Sequence, residues 1–323
     1  MALPNTNYSD LTVTTLERRT KKIQDNVRKN NALLEVIQRK GTRTFSGGSK
    51  ILEPLSYREN GNFQWYSGAD PISMMQQDML TAPEYPIKQA ACGVIITGLE
   101  DLQNSGPEAE LELLQERIAV TESTMANKVA ESLYSDGTGY GGKQITGLLA
   151  AVPVDPTTGT YGNIDRSTTQ GTFWRSQLQT ASGYSSTTLP GYMNALWAKL
   201  VRGADAPDLI VMDNLMYAAF EASLQPLQRF TDSKLADMGF TTLKYKGATV
   251  VQDGGIGGFA PDNSAWFLNT KYLHWRPHSR RNFVPLSPKM RVPFNQDLEG
   301  TILAFAGNLT CSGAKFQGFL KGY

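Results

Sequence analysis

The stretch SGPEAELELLQERIAVTESTMANKVAESLYSDG, residues Ser105 to Gly137, sets the scale of the whole molecule. Ser105 followed by Glu108 forms a capping box, Pro107 stands in the first turn where a proline is tolerated, and Glu108, Glu110 and Glu112 place negative charge at the positive end of the helix dipole. Leu111, Leu114, Ile118, Met125, Val129 and Leu133 then recur at helical spacing, with Glu112, Glu116, Glu122, Lys128 and Glu131 largely off that stripe. Asp136-Gly137 supplies the stop, glycine taking the left-handed terminal conformation at least cost. The pattern predicts a helix over residues 105–136, of which about 29 helical residues at 1.5 Å each span roughly 43 Å. That length exceeds the width of a small compact domain.

Composition bounds the rest. A chain of 323 residues with 40% hydrophobic content can build one large domain or two modest ones. Thirty-one basic against thirty acidic residues leave a net charge of +1, so the molecule as a whole carries no polyanion-binding signal. The amino terminus has neither a basic nor an apolar leader region, and no run of 18 apolar residues occurs, which predicts neither export nor a membrane span. Cys92 and Cys311 lie in apolar strand-like segments without partners at metal or redox spacing, and are expected as buried free thiols.

Amino-terminal to the long helix, residues 1–13 read as a draped arm without period. Thr14 to Lys40 carries Leu16, Ile23, Val27, Leu33, Leu34 and Ile37 together with Arg18, Arg19, Lys21, Lys22, Arg28, Lys29, Arg39 and Lys40, against only Glu17, Asp25 and Glu35. This is a basic amphipathic helix, either a solvated face or a contact for something acidic. In GTRTFSGGSKILEPLSYRENGNFQWYSGADP, Glu53, Leu55 and Tyr57 alternate with Pro54, Ser56 and Arg58, and Asn60-Gly61 separates them from Phe63 and Trp65. An Asn-Gly pair between alternating runs predicts a hairpin turning at that pair, and Pro54 keeps it out of a central ladder. A two-stranded ribbon is marginal in water, and this one carries Leu55, Tyr57, Phe63, Trp65 and Tyr66, so something must cover it.

Between that ribbon and the long helix the readings are a helix around Ser73 to Leu80 and a strand from Tyr85 to Thr97; carboxy-terminal to the long helix they are a glycine-dense turn at 137–142 and a surface loop across PVDPTTGTYGNIDRSTTQGTFW. Gly183 to Arg202 is a helix facing inward through Leu189, Met193, Leu196, Trp197 and Leu200. PDLIVMD is a buried strand, and Asp213 caps a helix expected to end at Gln225-Pro226. TTLKYKGATVVQDGG makes two strands joined at Lys246-Gly247, SAWFLNTKYLHW one or two more, and PKMRVPF, GTILAFAGNL and AKFQGFLKG supply the last. Helices early and strands late favour an α+β chain.

Chemistry is sparse. Gly255 to Ala260 matches G-x-G-x-x-A but runs into Pro261-Asp262-Asn263 rather than a helix, so no helix terminus is there for a pyrophosphate. His274 and His278 are separated by Trp275-Arg276-Pro277, which denies them one helix face as a zinc pair. No G-x-S-x-G elbow or reactive cysteine setting occurs. No catalytic, metal or cofactor site is assigned.

The order of basic arm, projecting hairpin, long capped helix and β-rich body resembles the major capsid proteins of tailed bacteriophages with the Hong Kong 97 fold. FSGGSKILEPLSYRENGNFQWYSG, SDGTGYGGKQITGL, DLIVMDNLMYAAFEASL, FLNTKYLHWRPH and NFVPLSP carry the resemblance, which spans the chain from about Leu16 onward. It implies an α+β fold with an N-terminal arm at 1–40, an extended loop at 41–80, a peripheral domain at 81–182 with its spine helix at 105–136, an axial domain at 183–270, and a return to the peripheral domain at 271–323. It also implies a shell subunit forming hexamers and pentamers of an icosahedral head around double-stranded DNA, without catalysis or cofactor. An encapsulin-like compartment shell, another virion structural protein and an enzyme of unrecognised type are the alternatives. Leu55, Tyr57, Phe63, Trp65 and Tyr66 are then expected to contact a neighbouring subunit. Arg18, Arg19, Lys21, Lys22, Arg28 and Lys29 are expected to meet an acidic scaffold or DNA. Portal, scaffolding and decoration proteins are further expected partners. Some members carry a long amino-terminal scaffolding segment; with a helix read from near Thr14, any scaffold is expected to come from another polypeptide, and because neither partner of the family's lysine–asparagine crosslink is matched by motif, no crosslink is expected.

Overall fold

A computed structural model describes residues 32–103, 113–228, 243–255, 258–286 and 296–323. Its elements begin with helix α1 (Ala32–Gly41), then strands β1 (Lys50–Leu52), β2 (Leu55–Ser56), β3 (Leu80–Thr81), β4 (Glu84–Pro86) and β5 (Lys88–Thr97). Helices α2 (Gly98–Gln103) and α3 (Leu113–Ser132) follow, with the short hairpin β6 (Thr160–Tyr161) and β7 (Ile164–Asp165), then β8 (Gln177–Ala181) and α4 (Leu189–Leu200). Strand β9 (Leu209–Met212) leads to α5 (Asn214–Gln228), β10 (Leu243–Tyr245) and β11 (Ala248–Gln252). The tail is strands: β12 (Ser264–Leu268), β13 (Leu273–Pro277), β14 (Val284–Pro285), β15 (Leu298–Cys311) and β16 (Gly318–Gly322).

Six strands form a mixed sheet in the order β10-β11-β9-β12-β16-β8. Its central strands are buried along their length, and the period-2 alternation of side chains divides them between two cores. Ile210 and Met212 of β9, Ala265 and Phe267 of β12, and Leu320 of β16 face one core with Leu189, Met193, Leu196 and Trp197 of α4 and Met216 and Phe220 of α5. Leu209, Val211, Trp266, Leu268 and Phe319 face the other, with Leu33 and Ile37 of α1 and Met125, Val129 and Leu133 of the α3 end. Continuous apolar runs such as LIVM and SAWFL therefore mark a sheet covered on both faces.

A second sheet is built on β15, which pairs β5 over ten residues on one side and β13 and β14 on the other, all antiparallel. Helix α3 packs across β5. Asp213 caps α5: its carboxylate accepts the N–H groups of Leu215 and Met216, and a third from Asn263. Lys246 and Gly247, both at positive φ, make the tight turn between β10 and β11.

Several expectations need correction. The long helix ends at Ser132, short of Asp136, because Leu133 and Ser132 are met by the returning chain: the Leu148 N–H bonds the Leu133 carbonyl at 2.6 Å. Its capping box, Ser105 with Glu108, lies outside the described residues, as do Thr14 to Asn31 and the PKMRVPF segment. Residues 73–79 form no helix, and Leu80 already belongs to β3. Helix α5 passes Pro226 and reaches Gln228; a proline in the last turn removes only one bond of the ladder. Helix α4 is shorter than Gly183 to Arg202, being preceded by a Ser185–Thr188 turn. The connection after Pro153 is not all surface: Tyr161, Arg166 and Trp174 are buried, with the Tyr161 and Trp174 rings stacked at 6.0 Å and the Trp174 indole donating to the Tyr161 carbonyl. Aromatic burial overrides turn chemistry there. Cys311 is buried but Cys92 is only half-buried; both are free.

Candidate assembly surface

The loop between β2 and β3 has a rigid root. β1 pairs with β4, and the Lys50 ammonium meets the Glu84 carboxylate across them. Between β1 and β2, Glu53 turns inward, accepting from the Arg276 guanidinium at 2.6 Å and from the Thr310 hydroxyl at 2.8 Å. Leu55 is half-buried against the body and Tyr57 half-buried beside Phe173, ring centroids 5.4 Å apart. A cleft of about 410 Å³ lies beside this root, lined in part by Leu55, Tyr57, Phe173, Lys199, Arg202 and Lys315.

Beyond Tyr57 the loop is held by side chain to backbone bonds across its two arms instead of a ladder. The Tyr57 hydroxyl and the Arg58 Nε both donate to the Asp78 carbonyl, at 2.7 and 2.6 Å. The Asn62 amide donates to the Met75 carbonyl and the Gln64 amide to the Pro71 carbonyl. The reversal is at Ser67 to Asp70, where the Asp70 N–H bonds the Ser67 carbonyl and its carboxylate accepts the Ser67 N–H. The expected hairpin at Asn60-Gly61 does not form: a local turn closes there, the Phe63 N–H meeting the Asn60 carbonyl at 3.5 Å, but the chain runs on in the first arm, where Gln77 accepts from the Gly61 N–H. Asn62 and Gln64 are the cross-braces.

This construction leaves apolar side chains in water. Phe63 and Trp65 pack edge to face at 5.4 Å, yet Trp65 is 91% exposed and Phe63 73%. Tyr66, Ile72, Met74 and Met75 are exposed as well, Met74 at 90%. A contiguous apolar array on one projecting element is the mark of a surface that is covered in the functional state. A helix over Ser73 to Leu80, which the sequence suggests, hides Met74 and Met75 as loop residues; the adjacent methionine pair just after Pro71 is the available signal.

Of the basic candidates, Arg18, Arg19, Lys21, Lys22, Arg28 and Lys29 lie outside the described residues. The described part of that segment, α1, is docked through Leu33, Leu34 and Ile37, and Lys40 pairs with Asp208 at 2.9 Å. His274 is buried in β13, where burial and the neighbouring Arg43 push its pKa down to about 4. Among the described residues no group of three His, Cys, Asp or Glu is placed to hold a metal, and no helix is long and apolar enough to cross a membrane. Neither the root cleft nor a second of about 390 Å³ between β5 and α3 is lined by His274 or His278.

No protein-family model matches the sequence, and no curated protein does. Solved structures do match. The cyanophage A-1(L) capsid is similar over 94% of this chain and 95% of its own, with a TM-score of 0.68 at 15% identity. The capsid of the native GTA particle is similar over 99% of both chains, with a TM-score of 0.62 at 14% identity. The SrpI encapsulin of Synechococcus elongatus is similar over 97% of this chain and 95% of its own, with a TM-score of 0.61 at 10% identity. Together with the long helix on an extended sheet and the projecting two-armed loop, these near full-length likenesses establish an α+β architecture of the Hong Kong 97 capsid type.

Proposed function

We propose that this chain is the major capsid protein of a tailed phage, assembling as hexamers and pentamers into an icosahedral head around double-stranded DNA. The observation that carries the reading is the exposed array from Phe63 to Met75 on a loop whose root is tied down: the loop is presented, yet nothing among the described residues of its own subunit covers it. Removing that much apolar surface from water at about 25 cal/mol per Å² is a drive toward association that a lone subunit leaves unused. Domain roles follow the resemblance: the arm at 1–40, the extended loop at 41–80, the peripheral domain at 81–182 and 271–323, and the axial domain at 183–270. Contact with DNA or an acidic scaffold is assigned to Arg18, Arg19, Lys21, Lys22, Arg28 and Lys29, and is nonspecific given the net charge of +1.

The test is assembly of the purified protein, followed by sedimentation and negative-stain microscopy. Wild type is expected as hollow particles or capsomer rings. Trp65→Ala and Phe63→Ala are expected to keep the subunit's melting temperature, both side chains being solvated already, while lowering the assembled fraction several-fold. A wild type that stays a small monodisperse species sinks the reading. The likeness to SrpI favours a second reading, a compartment shell; nuclease-protected DNA inside particles from the native source separates the first from the second, which would hold protein cargo.

A further inference from the structure

Among the described residues β5 is an edge strand: it pairs with β15 alone, and its other side carries backbone groups that no described strand meets. Three bonds fix which groups those are. The Gly98 N–H bonds the Asp297 carbonyl, so even-numbered residues continue the β15 ladder. The Ile95 carbonyl instead accepts from Arg117 Nη1 at 2.9 Å, and the Thr97 N–H donates to Glu100 Oε2 at 3.0 Å, so odd-numbered residues face away from β15. The far end of the edge is thereby closed by side chains. Gln89, Ala91 and Gly93 are left with outward N–H and C=O groups that have no partner among the described residues.

Folded proteins guard such an edge with charge, proline or a bulge. From Gln89 to Ile95 there is none: the residues are Gln, Ala, Ala, Cys, Gly, Val, Ile. A Cβ added at Gly93 would meet nothing within 4 Å, so an approaching strand has room. The flanks are basic, with Lys88, Lys128 and Lys143 against Glu131, itself paired to Lys128.

The second arm of the extended loop presents the complementary feature. Pro71, Ser73 and Met75 direct their backbone groups to the first arm, through Gln64 and Asn62. Ile72, Met74 and Gln76 therefore direct theirs outward, at the same two-residue spacing, and they too have no partner among the described residues. The loop carries Glu59, Asp70 and Asp78 against Arg58, a charge opposite to the β5 flanks.

We infer that the second arm of one copy, Ile72 to Gln76, adds as a strand to the open edge of β5, Gln89 to Gly93, in a neighbouring copy. This rests on the shell reading and names the surface that receives the loop. Strand addition takes its affinity from main-chain bonds and its choice of partner from the flanking side chains. Because donor arm and acceptor edge are different patches, the contact is heterologous and propagates around a ring.

The experiment uses the full chain with Cys92→Ser, carrying Gly93→Cys together with Ile72→Cys, Met74→Cys or Gln76→Cys. Residues whose open backbone groups face each other stand directly opposite, within disulfide reach. At least one pair is expected to give a ladder of covalent oligomers on mild oxidation of assembled material. Ala91→Pro removes only an outward N–H, which an edge strand tolerates, and is expected to cut assembly at least tenfold with the subunit's melting temperature retained. Should that variant misfold, Gln89→Lys with Gly93→Lys places charges on the edge and is expected to do the same. Wild type that assembles while none of the pairs crosslinks, or while the lysine variant assembles normally, overturns this inference alone. Crosslinking of Gly93→Cys to itself overturns it in favour of pairing between two β5 edges. Wild type that never assembles overturns it together with the shell reading.

Discussion

Glu53 and Arg276 stand 223 positions apart in the chain and 2.6 Å apart in the fold. Glu53 is almost fully buried, and the Thr310 hydroxyl holds the same oxygen. The pair ties the root of the extended loop to β13 and β15, where Arg276 and Thr310 lie. Removing one member strands a charge in a poorly solvated place, which costs about 3–5 kcal/mol. Glu53→Ala is expected to lower the unfolding free energy of the subunit by an amount near the bottom of that range, since Arg276 keeps some contact with water. Denaturant unfolding measures it. Hydrogen exchange should show the added opening concentrated between Ile51 and Thr81; a loss spread evenly over the chain would deny Glu53 its anchoring role.

The same neighbourhood gives a pH dependence. His274 has its pKa pushed from 6.5 down to about 4, first by burial, then by Arg43 and Arg276, with Glu53 opposing. Between those values the unfolded chain binds a proton that the folded chain refuses. Stability from this residue is therefore complete above about pH 6.5 and drains as the pH falls toward 4, at no more than about 1.4 kcal/mol per pH unit for one proton. His274→Gln is expected to flatten the curve of unfolding free energy in that window and to leave its slope above pH 7 unchanged. Parallel curves for the two proteins across the window would remove His274 as the cause.

Where local chemistry decides the structure, the sequence is legible. The inward face of α4 at Leu189, Met193, Leu196, Trp197 and Leu200, the Asp213 cap, and the Lys246-Gly247 turn each depend on residues within a few positions. The projecting apolar loop is legible too, although its reversal is not. Asn60-Gly61 signals a turn more strongly than Ser67 to Asp70, but Asn62 and Gln64 brace the arms across 13 and 7 positions and fix the reversal further out. Pairings at long separation leave no local trace. Nothing around Glu53 announces Arg276, and nothing in the run of turn residues after Pro153 announces that Tyr161 and Trp174 stack in the core. The open edge of β5 is invisible for the same reason: a strand's neighbours are set by topology.

The point where α3 stops gives the last prediction. Gly147 has an ordinary backbone conformation, so its need for glycine is steric and not conformational. A Cβ there would lie 2.4 Å from the Leu133 carbonyl oxygen and 2.5 Å from that of Ser132, both backbone atoms that cannot swing aside. Gly147→Ala must push the returning chain off the helix end, straining the Leu148 to Leu133 bond, and is expected to cost about 1–3 kcal/mol as overpacking does. Gly141 isolates the other mechanism: its added Cβ meets nothing, but its φ is +67, so Gly141→Ala should cost about 1 kcal/mol from conformation alone. Gly93→Ala, with open space and no positive φ, is the neutral control in the isolated subunit. Chemical denaturation of the three variants should rank them Gly147, Gly141, Gly93 in order of loss. A Gly147→Ala protein as stable as the Gly93→Ala control would mean that α3 does not end because another segment presses on its last turn.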